Sequence, residues 1–258
     1  YGQWERITAN TDLVSVLITP TATRVSVVLP TRNRATMLRR AIASVLAQQH
    51  PTWQLVVVDD GSTDATPQVL SEIADPRIIS VRGEGRGSAA ARNLGLAHTT
   101  GDWVAFLDDD NVMAPGWLHA IALFAAREPE HSVFYGAQLR QNELSLQPGF
   151  AEARAFFDEQ ITPQSLATYG RLDMGMLAVR RDTDELHFDE SLPRFVDWEL
   201  TVRLAAKYTL RPVPVWASVY STEASHRVTT PNSEDAIAQF VARLADPDDP
   251  VGTPAGAR

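Results

Sequence analysis

Four short apolar segments, each followed by a stretch with the periodicity of a helix, restrict what this chain can fold into. The segments are Val25–Leu29, Gln54–Val58, Ile78–Val81 and Trp103–Leu107. Apolar runs that lack polar alternation are typical of strands buried on both faces, which occur in parallel sheets. Repeated strand–helix units join through right-handed connections and place ligand sites at the carboxyl ends of the strands. The sequence therefore predicts a single α/β domain with a mostly parallel, Rossmann-like central sheet flanked by helices.

Acidic side chains are concentrated where the fourth apolar segment ends. Asp108, Asp109 and Asp110 follow Leu107 directly. Like charges this close repel each other, and removing them from water is costly unless a cation lies among them. Asp108 and Asp110 point the same way if the extended geometry continues, and carboxylate ligands suit Mg²⁺ or Mn²⁺. The alternative is an acidic turn that caps the next helix.

The composition excludes several classes of protein. With 258 residues, of which 44% are hydrophobic, the chain can bury a sizeable core, and it has no cysteine for a disulfide or a thiolate. The formal net charge of −9 argues against nucleic acid or an anionic membrane surface as the main partner. No apolar run approaches the roughly 20 residues of a membrane span and no signal peptide is visible, so we expect a cytoplasmic protein. Because the chain begins at Tyr1 rather than Met, we expect a trimmed chain or a piece of a longer protein with other domains.

A glycine pattern offers one functional interpretation. Gly85-Arg-Gly87-Ser-Ala-Ala90 matches the dinucleotide-binding pattern after a strand, and Asp108 follows about 20 residues later, where a ribose-binding acid is expected. This pattern lies in the third strand–helix unit rather than the first, however. A dehydrogenase would also need one acid where the chain has three, and Asp59-Asp60 would have no role. We therefore favour a different interpretation.

Several sequence blocks resemble the family 2 glycosyltransferases in both order and spacing. They are Val27–Arg34, Val57–Asp64, Ala91–Gly95, Phe106–Asp110, Phe188–Leu192 and Val196–Leu200. The resemblance covers roughly residues 25–229 and implies a GT-A fold, with Asp108–Asp110 corresponding to the DxD metal motif of the family. One block departs from the family, which commonly has Glu-Asp where this chain has Val196-Asp197. The departure affects fine positioning and keeps the aspartate.

The resemblance implies a donor site for a nucleotide-diphosphate sugar, with a UDP-sugar favoured. The residues implied to contact the nucleobase or the donor are Pro30, Thr31, Asn33, Arg34, Asp60, Arg92, Asp108 and Asp109. Asp108 and Asp110 are implied to hold Mn²⁺ or Mg²⁺, which neutralises charge on the leaving diphosphate. Asp109 is left out of direct contact with the ion. His226 resembles a late histidine that some relatives direct at the metal or the phosphates, although a lone histidine is more often a surface residue.

The acceptor side of the predicted site depends on one aspartate. A saccharide or other hydroxyl acceptor is a poor nucleophile, so a carboxylate must accept its proton. Asp197 is the base implied by the resemblance, and in-line attack inverts the anomeric centre. Glu199 is a weaker second choice, for which a solvated or hydrogen-bonded neighbour is the favoured interpretation. The alternative for Asp197 is an acid that caps a helix or stabilises its first turn. Asp173–Met176 lies where acceptor contacts are expected, with no role assigned to its residues.

The predicted organisation has two functional halves within one domain. We expect a peripheral lead-in at 1–24, a donor-binding half at 25–139, an acceptor-binding and catalytic half at 140–245 and a disordered tail at 246–258. Within the second half, a short helix is predicted around 150–158, and Pro212 and Pro214 predict an edge strand. The rival to an enzyme is a non-catalytic nucleotide-sugar-binding or scaffold domain of a larger protein.

Overall fold

The computed structural model describes residues 22–141, 151–154, 161–169, 172–192 and 194–221. Most of the predicted lead-in, the predicted tail and His226 lie outside the described residues. Within the described ranges, no helix is long and apolar enough to cross a bilayer.

The first half of the described chain consists of alternating strands and helices. Its elements are β1 (Val25–Thr31), α1 (Ala35–Leu46), β2 (Trp53–Asp59), α2 (Thr66–Ser71), β3 (Ile78–Arg82), α3 (Ser88–Ala97) and β4 (Trp103–Phe106). β2 and β4 both pair in parallel with β1, and β3 pairs in parallel with β2. All four predicted strands are therefore present in the predicted orientation.

The second half extends the same sheet with mixed orientation. Its elements are β5 (Val112–Met113), α4 (Trp117–Arg127), β6 (Val133–Gln141), β7 (Ala151–Arg154), α5 (Pro163–Tyr169), a 3₁₀ turn (Met174–Met176), β8 (Leu177–Arg180), α6 (Val196–Lys207) and β9 (Leu210–Ser221). The described strands follow the order β3-β2-β1-β4-β8-β6-β9-β5, with β7 on β6. β8 is antiparallel to both of its neighbours, whereas β6 and β9 run parallel.

Helices cover both faces of the sheet, which explains the uninterrupted apolar runs. Val27 lies in a core cluster with residues of α1 and α4, whereas its neighbour Val28 belongs to the cluster that contains residues of α6. Both valines are completely buried. Gly95 of α3 lies directly over β1 and β2, and a Cβ built on it would meet Val28 Cγ1 at 2.5 Å. The absence of a side chain at Gly95 therefore lets α3 approach the sheet closely.

Two local predictions need correction. The helix predicted around 150–158 is wrong where the structure describes it, because 151–154 form β7 against β6. β9 was expected to be an edge strand, but it lies between β6 and β5. Pro212 and Pro214 come before the short stretch of β9 that pairs with β5. The pairing of β9 with β6 was not predicted.

Candidate active site

The loops that carry the predicted donor residues meet at one edge of the sheet. Thr31 pairs with Asp59 at the ends of β1 and β2, and Val28 pairs with Phe106 at the end of β4. Because these strands are parallel and in register, the segments that follow them emerge side by side. The expectation that Asp60 and Asp108–Asp110 lie at the same edge is therefore correct.

The Asp60 side chain organises the glycine-rich loop after β3. Its Oδ1 accepts the backbone amides of Gly85 at 2.9 Å and Arg86 at 3.1 Å, and its Oδ2 accepts that of Gly87 at 2.8 Å. Gly85 and Gly87 have φ values of +78° and +98°, which favour glycine. These three amides are thus occupied by protein and not open to a pyrophosphate, which argues against the dinucleotide interpretation of this pattern.

Asn33 joins the loops that follow β1 and β2. It adopts a left-handed conformation with φ of +55°, which asparagine tolerates better than most residues. Its backbone amide donates to Ser62 Oγ at 2.8 Å, and its side-chain Oδ1 accepts a hydrogen bond from the backbone amide of Thr63 at 2.7 Å. Asn33 therefore holds together the loops that follow β1 and β2. Pro30 precedes this loop and pairs with Val58.

Asp109 is enclosed by residues of the β1 end. It is 5% exposed and accepts hydrogen bonds from Thr31 Oγ1 at 2.7 Å and Arg34 Nη1 at 2.8 Å. Burial raises its pKa to about 6 in spite of the arginine. Asp109 therefore points into the protein, as its exclusion from ion contact anticipated. Arg34 also donates to Asp110 Oδ2 at 2.9 Å, so the Arg34 side chain contacts two of the acids that follow β4.

Arg92 of α3 connects the two halves of the site. Its side chain is 5% exposed, and it donates from Nη2 to Asp108 Oδ1 at 2.8 Å, while Nη1 lies 3.1 Å from Asp197 Oδ1. Asp108 follows β4 and Asp197 lies in the first turn of α6. The two carboxylates assigned to different halves of the chain therefore share one buried guanidinium. The sequence assigned Arg92 to the diphosphate and did not predict this bridge.

Asp197 is presented to the site rather than used to cap its helix. Phe195 precedes α6 in a left-handed conformation with φ of +61°, an unusual choice for a bulky residue, and no side chain caps the helix. The Asp197 Oδ1 atom is buried and, apart from its ion pair with Arg92, makes no hydrogen bond with the described residues, although the side chain as a whole is 32% exposed. Burial, reinforced by Asp108 and opposed by Arg92, raises its pKa. A raised pKa suits a group that must accept a proton near neutral pH.

A third acid, Asp173, belongs to the same cluster. Its Oδ1 accepts the Gly175 amide at 2.9 Å and the Gln138 Nε2 group at 3.0 Å. Burial, together with the charges of Asp108 and Asp197, raises the pKa of Asp173 to about 7. The sequence placed this residue in an acceptor segment without a role. Its only sequence signal was an acid two residues before a glycine.

Glu199, the second choice as base, is engaged elsewhere. It is 3% exposed, and Arg203 donates to its two oxygens at 2.7 and 2.9 Å. Arg203 lies one helical turn later and also binds the backbone carbonyl of His187. Because both oxygens of Glu199 are held by a buried arginine, it is not available as a base. These contacts agree with the favoured interpretation of Glu199 as a hydrogen-bonded neighbour.

The acids at the end of β4 fit a divalent ion that takes most of its ligands from substrate. The described residues contain no group of three His, Cys, Asp or Glu placed to hold a metal. Asp108 and Asp110 each give one oxygen to an arginine, and burial and the Asp108 charge raise the pKa of Asp110. Mg²⁺ commonly binds through one or two carboxylates, water and substrate phosphates. Two carboxylates at this edge match that pattern.

The fold and the acid-lined strand ends place this chain in the class of α/β proteins that bind ligands at the carboxyl edge of the sheet. A sequence model described as glycosyl transferase family 2 matches residues 26–181. That range is more than half of the 258 residues. The chain belongs to glycosyltransferase family 2.

Named relatives agree with this family. The chain is 37% identical over 123 residues to the succinoglycan biosynthesis protein ExoO of Rhizobium meliloti, covering 47% of this chain and 33% of ExoO. It is 26% identical over 196 residues to the putative colanic acid biosynthesis glycosyl transferase WcaA of Escherichia coli, covering 71% of this chain and 67% of WcaA. The chain thus spans about a third of the length of ExoO.

Solved structures share the fold. The TarS fragment 1–349 of S. aureus, in complex with UDP-GlcNAc, superimposes with a TM-score of 0.67 at 20% identity, covering 86% of this chain and 66% of that fragment. The mannosyltransferase PcManGT of Pyrobaculum calidifontis, in complex with GDP-Man and Mn²⁺, gives a TM-score of 0.57 at 20% identity, covering 85% of this chain and 65% of PcManGT. These similarities confirm the predicted GT-A-like α/β fold.

Proposed function

We propose that this chain is a metal-dependent, inverting glycosyltransferase that moves a sugar from a nucleotide-diphosphate donor to a hydroxyl acceptor. The observation that carries the proposal is the shared contact of Asp108 and Asp197 with Arg92. It supports a single reaction centre in which the donor and the base are next to each other. The division into a donor half at 25–139 and an acceptor half at 140–245 is part of the same proposal.

Asp197 is the proposed general base. Its carboxylate takes the proton of the acceptor hydroxyl while the acceptor oxygen forms a bond to the anomeric carbon of the donor sugar. The bond from that carbon to the phosphate oxygen breaks, and the nucleoside diphosphate leaves with the electron pair. In-line attack of this kind inverts the anomeric centre. The ion pair with Arg92 fixes the direction of the Asp197 carboxylate.

Asp108 and Asp110 are the proposed holders of Mn²⁺ or Mg²⁺. A bound divalent ion supplies positive charge that offsets the charge of the departing diphosphate. The presence of Mn²⁺ with GDP-Man in the PcManGT complex supports a metal here. Arg34 contacts both Asp109 and Asp110 and thereby holds the second ligand in place. His226 remains a proposed contact outside the described residues.

The proposed donor is a UDP-sugar. Support comes from the TarS complex with UDP-GlcNAc, which has the higher TM-score of the two neighbours described. In this chain Asp60 holds the glycine-rich loop in shape, and its Oδ2, which accepts only the Gly87 amide among the described residues, retains a lone pair for a nucleobase N–H. Asn33, Thr31 and the Pro30 backbone line the same edge. A saccharide is the proposed acceptor class, and a cytoplasmic location is the proposed setting.

The metal is tested by measuring nucleotide release and sugar transfer with UDP- and GDP-sugars, in Mn²⁺, in Mg²⁺ and in chelator. We expect chelation to abolish transfer and Asp110→Asn to weaken donor binding strongly. Asp182→Asn is the matched control, because its carboxylate is 75% exposed and pairs only with Arg180 on the surface. Full transfer activity in the presence of chelator would contradict the proposed metal dependence.

The base is tested with Asp197→Asn, which keeps the size of the side chain but cannot accept a proton at neutral pH. Loss of general-base assistance typically costs about 10²–10⁴-fold in rate, and the loss should appear in kcat while donor affinity is kept. Near-parental turnover would exclude Asp197 as the base. Donor binding without turnover in the parent protein, with every acceptor tried, would favour the non-catalytic donor-binding module instead.

A further inference from the structure

Both acids that are proposed to hold the divalent ion already pair with an arginine. Arg92 Nη2 donates to Asp108 Oδ1 at 2.8 Å, and Arg34 Nη1 donates to Asp110 Oδ2 at 2.9 Å. Part of the negative charge of each carboxylate is therefore already compensated. A second cation binds such a carboxylate less tightly, because the two positive charges repel each other over a short distance. This arrangement suits an ion that takes further ligands from an anionic substrate.

The two arginines differ in what else they contact. Arg92 also contacts Asp197, the proposed base, so its loss disturbs the acceptor side as well. The ion pairs of Arg34 are with the acids that follow β4. Arg34 directly precedes α1, and its carbonyl accepts the Leu38 amide at 2.9 Å, so the first turn of the helix fixes its backbone. Its side chain is 15% exposed, and water and salt screen a charge in such a position poorly.

One nitrogen of Arg34 serves two carboxylates at once. Nη1 lies 2.8 Å from Asp109 Oδ1 and 2.9 Å from Asp110 Oδ2. Asp109 is 5% exposed, so it depends on Arg34 as its counter-charge. The Asp110 side chain is more open to solvent, with 26% exposed. Asp109 thus anchors Arg34, which stays beside Asp110 as a fixed positive charge whether or not Asp110 holds an ion.

We propose that Arg34 is a fixed counter-cation that keeps Asp110 from holding a divalent ion tightly until the donor diphosphate is bound. The diphosphate adds negative charge, which offsets the repulsion between the arginine and the ion. Metal and nucleotide then bind cooperatively, and each raises the affinity for the other by the same factor. This inference rests on the proposed metal-dependent transferase function. It makes Arg34 a positioning residue that acts through Asp110.

The first measurement is the affinity for Mn²⁺ alone, from the electron paramagnetic resonance signal of the free ion, in the parent, Arg34→Gln and Arg40→Gln. We expect Arg34→Gln to bind Mn²⁺ about 10- to 100-fold more tightly than the parent, as for release of a hydrogen bond to a charged group. Arg40→Gln is the matched control. Arg40 lies on α1 and donates to the backbone carbonyl of Asp110 at 2.7 Å, so the same charge is removed beside the same residue. Because Arg40 is exposed and leaves the carboxylate paired, its loss should change Mn²⁺ affinity much less.

A second pair of variants removes the risk that Arg34→Gln unfolds the protein by leaving Asp109 without its counter-charge. Asp109→Asn takes away the buried charge, and the double variant Arg34→Gln/Asp109→Asn then lacks both members of the pair. The double variant should bind Mn²⁺ more tightly than Asp109→Asn, by the same factor that separates Arg34→Gln from the parent. Melting temperatures of all variants show which comparison to use.

The last measurement repeats the Mn²⁺ titrations with saturating UDP or GDP. The parent should gain more Mn²⁺ affinity from the nucleotide than the variants without Arg34 do. Unchanged or weaker Mn²⁺ binding without Arg34, an equal gain in Arg40→Gln, or equal effects of the nucleotide on parent and variants would overturn the role of Arg34. If Mn²⁺ binds the parent neither alone nor with either nucleotide, the proposed metal role itself is wrong and this inference is wrong with it.

Discussion

Replacing Arg92 with methionine tests whether one guanidinium holds the site together. The Arg92 side chain is 5% exposed, whereas its partners Asp108 and Asp197 are 25% and 32% exposed. Removing one partner from a buried ion pair costs about 3–5 kcal/mol because a charge is left uncompensated. Since both carboxylates keep some contact with water, we expect the lower end, about 3 kcal/mol. For a chain of this size that is a fall in Tm of about 6–12 °C.

The loss of folding stability caused by Arg92→Met should depend on pH. Burial already raises the pKa of Asp197 above its ordinary value, and Arg92 opposes that rise. Without the arginine the folded state binds a proton still more readily than the unfolded state. Acid therefore stabilises the variant relative to the parent. Urea unfolding of the parent and the variant at pH 8 and at pH 5.5 measures the loss of stability and its dependence on pH. The loss should be smaller at pH 5.5.

Arg180→Met is the matched control for Arg92→Met. Arg180 pairs with Asp182 at 2.9 Å, but the two side chains are 39% and 75% exposed. Exposed ion pairs contribute about 0–1 kcal/mol, so this variant should remain close to the parent at both pH values. An Arg92→Met penalty below about 1 kcal/mol at pH 8, or one that is equal at both pH values, would refute the role of Arg92 as the shared counter-charge.

Three further predictions concern packing, the donor loop and pH. Gly95→Ala should destabilise the protein by about 1–3 kcal/mol in urea unfolding, because the new Cβ meets Val28, whereas Gly116→Ala has nothing within 4 Å and should change little. Asp60→Asn loses its Oδ2 acceptor for the Gly87 amide and should cost about 1–3 kcal/mol and weaken UDP binding; unchanged affinity and stability would contradict this. Raised pKa values of about 7 for Asp173 and about 6 for Asp109 mean that the folded state binds more protons than the unfolded state below those values, so Tm should fall as the pH rises from 5 to 7 and level off above it. Each group contributes up to about 1.4 kcal/mol per pH unit between the ordinary pKa of an aspartate and its raised pKa, and a Tm that stays level or rises from pH 5 to 7 in chelator-containing buffer would contradict these raised pKa values.

The parallel part of the fold was predictable because its signals are local. β1, β2 and β4 are buried on both faces, so their apolar runs appear in the sequence without help from the rest of the chain, whereas β3 is a partly exposed edge strand. The acids at the end of β4 were predictable for the same reason, since Asp108 and Asp110 follow the strand directly. The α/β class could therefore be predicted from patterns within short segments of the sequence.

The second half was less predictable because its order depends on distant pairing. Leu210 of β9 pairs with Val133 of β6, and β8 lies between β6 and β4. Such contacts bring together segments far apart in sequence, and no local period records them. β7 was mistaken for a helix because only its hydrogen bonds to β6 define it as a strand. Glu199 was kept as a second choice of base because its burial with Arg203 is not visible in the sequence.

The arrangement of the site depends on two consecutive residues of α3 that the sequence motifs did not relate to the acceptor half. Arg92 contacts Asp197, while Asn93 binds the backbone of Phe188 in both directions, accepting from its amide at 2.8 Å and donating to its carbonyl at 2.8 Å. The Phe188 segment leads into α6, so the same turn of α3 fixes both the approach to that helix and its catalytic candidate. Helix α3 begins directly after the glycine-rich loop that Asp60 organises. We therefore expect a change in that loop to affect Asp197 through α3, so donor-side and acceptor-side variants should be measured for both donor and acceptor affinity.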